Sequence, residues 1–158
     1  MNAPVAPMFA RYKADASTRV KVGVGIILHD PQGRLLMEKR RDCGLWGFCG
    51  GKVEPGESVM ESAVREAREE TGFEIRILRM IGVYSDPSER VVRYPNNGEM
   101  VHLVDVILEA EVTSGTLVVS EESEELRFFA LHEIPAEICP PARQPLEDYL
   151  NGLNAMVR

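Results

Sequence analysis

What this chain has little of already narrows its class. Only three of its 158 residues are cysteines, Cys43, Cys49 and Cys139. An odd count argues against a disulfide framework and predicts a reducing, cytoplasmic setting. No apolar run approaches the length needed to cross a bilayer, so no membrane partner is expected, and MNAPVAPMFARYKADAS at the start lacks the apolar centre of a secretory leader. Positive charge is also scarce: 18 Lys and Arg stand against 25 Asp and Glu, for a net charge of −7 and a pI near 5.1. That balance excludes a broad electrostatic footprint for nucleic acid and disfavours RNA processing, while leaving room for a local basic mouth around a phosphorylated small molecule.

What is present is the composition of an ordinary globular chain, 44% hydrophobic and 27% charged, long enough for one domain with a real core. We place that domain at residues 19–158, after an arm at 1–18. The arm is either a loose, flexible tail or a segment packed on a partner subunit in a homodimer; the sequence leaves both open. There is no internal repeat.

The stretch around which the chain is organised is Gly51 to Phe73, GKVEPGESVMESAVREAREETGF. Gly56 closes a turn, Ser58 and Glu61 form a capping box, and Gly72 supplies a left-handed stop, so the spacing predicts one helix with defined ends. Glu66, Glu69 and Glu70 share a face of that helix. Carboxylates so placed repel one another, and a divalent cation offsets the repulsion; oxygen-only ligands suit Mg2+, with Mn2+ as a substitute. The opposite face, Met60, Ala63, Val64 and Ala67, is expected to lie on a sheet. A strand entering the Gly50-Gly51 pair lets backbone approach a ligand, which makes the Gly50 carbonyl a further candidate metal oxygen.

These residues carry a family resemblance. The pattern G-x5-E-x7-R-E-U-x-E-E-x-G-U, with U apolar, is filled by Gly51, Glu57, Arg65, Glu66, Ala67, Glu69, Glu70, Gly72 and Phe73, and it resembles the Nudix box at every defined position. The resemblance implies an α/β fold, an α/β/α sandwich with a central mixed β-sheet. It implies Mg2+-dependent hydrolysis of a nucleoside diphosphate linked to another group X. ADP-ribose-like compounds come first as substrate, nucleoside triphosphates second. A nucleotide-binding module without catalysis is the alternative of another class, and such a module is expected to have lost the box glutamates, which are intact here. Glu57 and Arg65 are expected to pair and fix the turn against the helix; the general base is Glu69, Glu70 or Glu122. Cys49 departs from the proline usual before the glycine pair, and it reads as a small buried hydrophobe rather than a nucleophile.

Elsewhere the pattern is of strands and turns. Arg19 to His29 and Arg34 to Arg40, around Asp30-Pro31-Gln32-Gly33, predict a hairpin covered on both faces, with Arg40 at its end as a phosphate contact. Trp46 reads as core or pocket wall. Phe73 to Tyr84 predicts a strand, and Asp86 to Gly98 a polar loop whose Arg90, Arg93 and Tyr94 are the substrate-binding candidates. Pro87 falls near the spacing at which ADP-ribose-cleaving Nudix members carry a proline. Glu99 to Val112 predicts a long strand with His102 packed inside it, followed by a turn at Gly115 before Thr116 to Val119. Glu122 and Glu125 precede the strand Leu126 to Phe129 as they do in Nudix relatives, which makes Glu122 a supplementary metal ligand or base. Leu146, Tyr149, Leu150, Leu153 and Met156 recur at helical spacing and predict a closing helix.

Overall fold

The computed structural model describes residues 7–158. In chain order its strands are β1 (Arg19–His29), β2 (Leu35–Arg40), β3 (Trp46–Gly47), β4 (Cys49–Lys52), β5 (Phe73–Tyr84), β6 (Val91–Arg93), β7 (Met100–Gly115), β8 (Ser123–Phe129) and β9 (Met156–Val157). Helix α1 (Val59–Thr71) follows β4, the single turn α2 (Pro87–Arg90) precedes β6, and α3 (Pro140–Leu150) precedes β9.

Side-chain alternation explains the layers. Along β1, Val24, Ile26 and Leu28 enter one apolar cluster and Ile27 the other; along β2, Leu36 joins the first, and Leu35 and Met37 the second. A strand apolar on both faces must be covered on both. The first cluster contains Ala63 and Ala67 of α1, and the second Ala142 and Leu146 of α3. One mixed sheet therefore lies between the two helices, with β1 parallel to β7 and β5 antiparallel to β7, as the α/β/α expectation required. Among the described residues no helix is long and apolar enough to cross a membrane.

Helix α1 begins and ends where its caps dictate. Ser58 Oγ accepts from the Glu61 N–H while Glu61 returns a bond to the Ser58 N–H. Gly72, at φ 78°, ends the helix with its N–H on the Arg68 carbonyl.

Several expectations need correction. The strands flanking Asp30 pair only at His29 and Leu35; β1 then pairs with β4 and β2 with β8, because the Asp30 carboxylate, which accepts from the N–H groups of Gln32 and Arg34, turns the chain into a corner. Met60 is exposed, and Ser62 takes part in the buried face of α1 instead. The supposed loop at 86–98 holds α2 and β6, with Asp86 capping the Ser88 N–H and Pro87 in the first turn; prolines are preorganised for that place. Strand β7 runs on to Gly115, past the end expected at Val112. The closing helix starts at the proline pair and stops at Leu150, half exposed, while Met156 belongs to β9 beside Gly82 of β5. The expected arm lies partly outside the described residues; within them, Met8 is buried, and its carbonyl accepts from the Arg93 N–H.

Gly72 is the cap most sensitive to change, since an added Cβ there would sit 2.3 Å from the Thr116 carbonyl oxygen. Gly72→Ala should lower stability by about 1–2 kcal/mol or more, read as a drop in the chemical-denaturation midpoint; an unchanged midpoint would contradict the cap.

Candidate functional site

An open cavity of about 740 Å³ runs across the sheet, lined by the acidic group Glu38, Glu70 and Glu122 with Gly50 and Gly51, and also by Tyr94, Leu103, Asp105 and Pro141. Helix α1 delivers the acidic end. Its i,i+4 pair, Glu66 and Glu70, faces the Gly50-Gly51 strand: Glu70 Oε2 accepts the Gly50 N–H at 2.8 Å, and Glu66 packs so close to Gly51 that an added Cβ there would lie 2.4 Å from its carboxylate. Only glycine lets helix and strand approach this far.

Burial dominates the electrostatics. Glu70, 8% exposed, has its carboxyl pushed up to about 9, first by loss of water and then by the neighbouring Glu38 charge. Burial likewise raises Glu38 and Glu66, with Glu122 adding repulsion to both. Buried like charges of this kind favour protonation or a cation. Glu38 had no place in the sequence reading. It is 6% exposed, and Ser123 Oγ donates to it at 2.6 Å. The signal was available in LLMEKR, where a carboxylate follows three residues buried on both faces of a strand.

Arg65 organises the periphery. Its Nη2 donates to Glu57 Oε2 at 3.0 Å and to the Lys52 carbonyl at 3.2 Å, while Nη1 reaches Glu66 Oε1 at 2.8 Å and Glu69 Oε2 at 3.2 Å. The Arg65 hydrogen bonds hold the Glu57 carboxyl down to about 2. One guanidinium thus ties the turn before α1 to two carboxylates on it, the geometry expected for the pair. Glu69, however, has a side chain 60% exposed beside Arg65 and is not among the residues that line the cavity. Among the described residues, no group of three His, Cys, Asp or Glu side chains stands in metal-ligating geometry; Glu66 is turned onto Arg65 and Glu70 onto the Gly50 N–H. The oxygens nearest one another that could serve a cation are those of Glu66, Glu70 and the Gly50-Gly51 backbone, with Glu38 and the exposed Glu122 lining the same cavity.

The substrate-binding candidates separate. Arg40 and Tyr94 line the cavity, Arg40 held by Asp42 through paired bonds of 3.0 and 2.7 Å. Arg90 does not: it is 3% exposed, bonded to Asp105 and to the Pro141 carbonyl, and lies over the Tyr84 ring. Its placement is that of a buried strut, since α2 points it inward. Arg93 lies over Tyr12 and donates to the Gly98 carbonyl, away from the cavity. Cys49 is fully buried, with its thiol raised by burial, and therefore inert. Trp46 packs edge-on to Phe129. His102 Nε2 lies 2.7 Å from the Ser85 carbonyl oxygen.

Comparison with known proteins agrees with this geometry. The family model for the NUDIX domain matches residues 19–149. The chain is 32% identical over 133 residues to the ADP-ribose pyrophosphatase of Methanocaldococcus jannaschii, spanning 82% of this chain and 72% of that protein. It is 35% identical over 121 residues to the mouse oxidized purine nucleoside triphosphate hydrolase, spanning 73% and 70%. Among solved structures, a NUDIX hydrolase from Nitrosomonas europaea superposes with a TM-score of 0.69 at 25% identity, over 87% of this chain and 76% of that one.

The raised Glu70 carboxyl makes a stability prediction. Its folded value near 9 lies above the ordinary 4.5, so its contribution is full below about pH 4.5 and is lost as pH climbs toward 9. In chelator, Glu70→Gln should melt higher than the parent at pH 8, on the order of 5 °C or more, and nearly level with it at pH 4. Equal melting curves at both pH values would contradict the burial of that charge.

Proposed function

The chain belongs to the Nudix family and is a pyrophosphohydrolase, and from that premise we propose that it hydrolyses a nucleoside diphosphate linked to a second group X, with ADP-ribose-like compounds favoured and Mg2+ as cofactor. The observation that carries the reading is the set of carboxylates formed by the buried Glu38 and Glu70 and the half-buried Glu66, crowded against the glycine pair of β4 with burial raising all three. Such a set fits a hard divalent cation, because oxygen donors alone surround it. Glu66, Glu70 and the Gly50 carbonyl would hold the ion, with Glu122 in support. When bound, Mg2+ supplies neutralisation of the diphosphate oxygens and acidifies a water molecule.

The remaining work falls to the chain. Glu57 and Arg65 aim the α1 carboxylates by fixing the turn against the helix. Arg40, at the cavity wall, meets phosphate charge. Glu122 is our choice as the group that takes the proton of the attacking water, because it lines the cavity and carries no ion-pair partner among the described residues. Glu69 is the weaker choice, turned as it is toward Arg65 and solvent.

The preference for an X-linked diphosphate leans on the similarity to the archaeal ADP-ribose pyrophosphatase. Pro87 adds nothing to it, since that residue opens α2 and does not line the cavity. The mouse relative, named for oxidized purine nucleoside triphosphates, keeps triphosphate hydrolysis as the second reading. Three free cysteines suit the cytoplasm as the site of action.

A screen with magnesium against ADP-ribose, nucleotide sugars, dinucleoside polyphosphates and nucleoside triphosphates, read by chromatographic separation of the nucleotide products, should show its highest kcat/KM on a diphosphate of the first kinds. A best substrate among the triphosphates would move the second reading into first place. Glu70→Gln should lose nearly all turnover, and Glu57→Gln roughly tenfold to a hundredfold; full activity in Glu70→Gln, with the fold intact by melting, would exclude the metal assignment.

A further inference from the structure

One carboxylate in the cavity belongs to neither the acidic end nor wholly to the fold. Asp105 of β7 also lines the cavity. Its Oδ2 accepts from Arg90 Nη1 at 2.9 Å, and Arg90 is itself fixed by a 2.7 Å bond to the Pro141 carbonyl. Anchored by one oxygen, the carboxylate has a set orientation. Among the described residues its Oδ1 accepts no hydrogen bond, yet no buried side-chain oxygen there lacks a partner, so Oδ1 is open to the cavity. Beside it stands Gly23 of β1, where an added Cβ would lie 2.5 Å from Oδ1. The missing side chain keeps the approach to that oxygen clear.

We infer that Asp105 Oδ1 reads the base of the bound nucleotide by accepting a hydrogen bond from an exocyclic amino group, as carried by adenine, guanine or cytosine. The inference rests on the reading of this cavity as a nucleotide site and names which part of the nucleotide each end receives. Register gives the span. Gly50 pairs with Gly25, and Gly25 with Ile107, two residues beyond Asp105. Two strand spacings and two residues separate the Gly50 and Asp105 Cα atoms, about 12 Å in regular strands; the Asp105 side chain leans back over Gly23 toward the Gly51 carbonyl, which shortens the reach to one that a nucleoside with its phosphates can bridge.

The walls between the ends favour a flat ring. Phe9, Phe48 and Tyr94 line the same cavity and are only half buried, leaving apolar surface for a base to cover. A ribose diol is the poorer occupant, since a carboxylate normally engages it through both oxygens and only one is free here. Charge decides among bases. Burial raises the Asp105 carboxyl against the pull of Arg90 and Arg40; we take it as the anionic partner of the Arg90 guanidinium at 2.9 Å, and an anionic oxygen is a hydrogen-bond acceptor only. Facing an amino group it gains a charge-assisted bond; facing the carbonyl oxygen that replaces that group in hypoxanthine or uracil, it meets a lone pair and leaves a desolvated anion unpaired.

Equilibrium binding in chelator, read by calorimetry with ADP, IDP, CDP and UDP, tests this without any hydrolysis. The parent protein should bind ADP tighter than IDP, and CDP tighter than UDP, each on the order of tenfold or more. In Asp105→Asn, whose amide can turn its N–H toward a base carbonyl, the preference should vanish or invert. Gly23→Ala, which crowds Oδ1 without removing charge, should also shrink it, and melting curves of both variants report whether the fold persists. Equal affinities in the parent, no measurable binding of any of the four, or a preference unchanged in both folded variants overturns the proposal. A protein that shows the base preference and yet hydrolyses no diphosphate would instead sink the hydrolase reading and leave Asp105 its role.

Discussion

Several carboxylates of one sign are packed where water is scarce, and the rest of the molecule is arranged to make that tolerable. Glu38 comes from β2, Glu66 and Glu70 from α1, and Glu122 from the segment before β8, so elements far apart in sequence converge on the Gly50-Gly51 pair of β4. Left alone, such a cluster protonates or repels. The chain meets part of the demand with the Arg65 guanidinium, the Gly50 N–H and the Ser123 hydroxyl. These bonds hold the oxygens in place without neutralising them all, which is the condition a cation site needs before its ion arrives.

Precision at that cluster depends also on devices outside it. The capping box and the Gly72 stop fix the length and rotation of α1, and the Glu57–Arg65 bonds fix its distance from the turn. On the other face, Arg90 joins β7 to the start of α3, and Tyr84 donates to the buried Asp148, itself bonded to Arg158 of the chain end. The cavity therefore has one end set by α1 and another set by the packing of α3, with β1 and β7 as the rigid floor between them. That division suits a ligand whose reactive part and recognised part differ in chemistry.

How much of this could be read from the sequence depended on whether the signal was local. The limits of α1, the burial of Cys49 and the Glu57–Arg65 pairing follow from spacing along a short segment, and they were legible. Two strands, Arg19 to His29, rich in β-branched residues, and Phe73 to Tyr84, which alternates, were also legible to the residue. What failed was long-range: β1 and β2 look like a hairpin because a turn joins them, but β2 finds its partner in β8, some 85 residues on. Leu153 and Met156 continue the helical spacing of α3 by coincidence, and only pairing with β5 shows otherwise. Arg90 looked like an exposed loop cation until the turn of α2 directed it inward. Glu38 and Asp105 were missed for one reason: each is an acid inside a strand, and its meaning comes from what lies across the sheet.

The central claim is that the crowded glutamates exist to hold a hard divalent ion. Crystals grown or soaked with Mn2+ and a nonhydrolysable nucleotide, measured for anomalous scattering, address it most directly. The account predicts a peak between Glu66, Glu70 and the Gly50 carbonyl, with Arg65 still bonded to Glu57. A map with no peak near those oxygens, or with its only peak elsewhere on the surface, would contradict it.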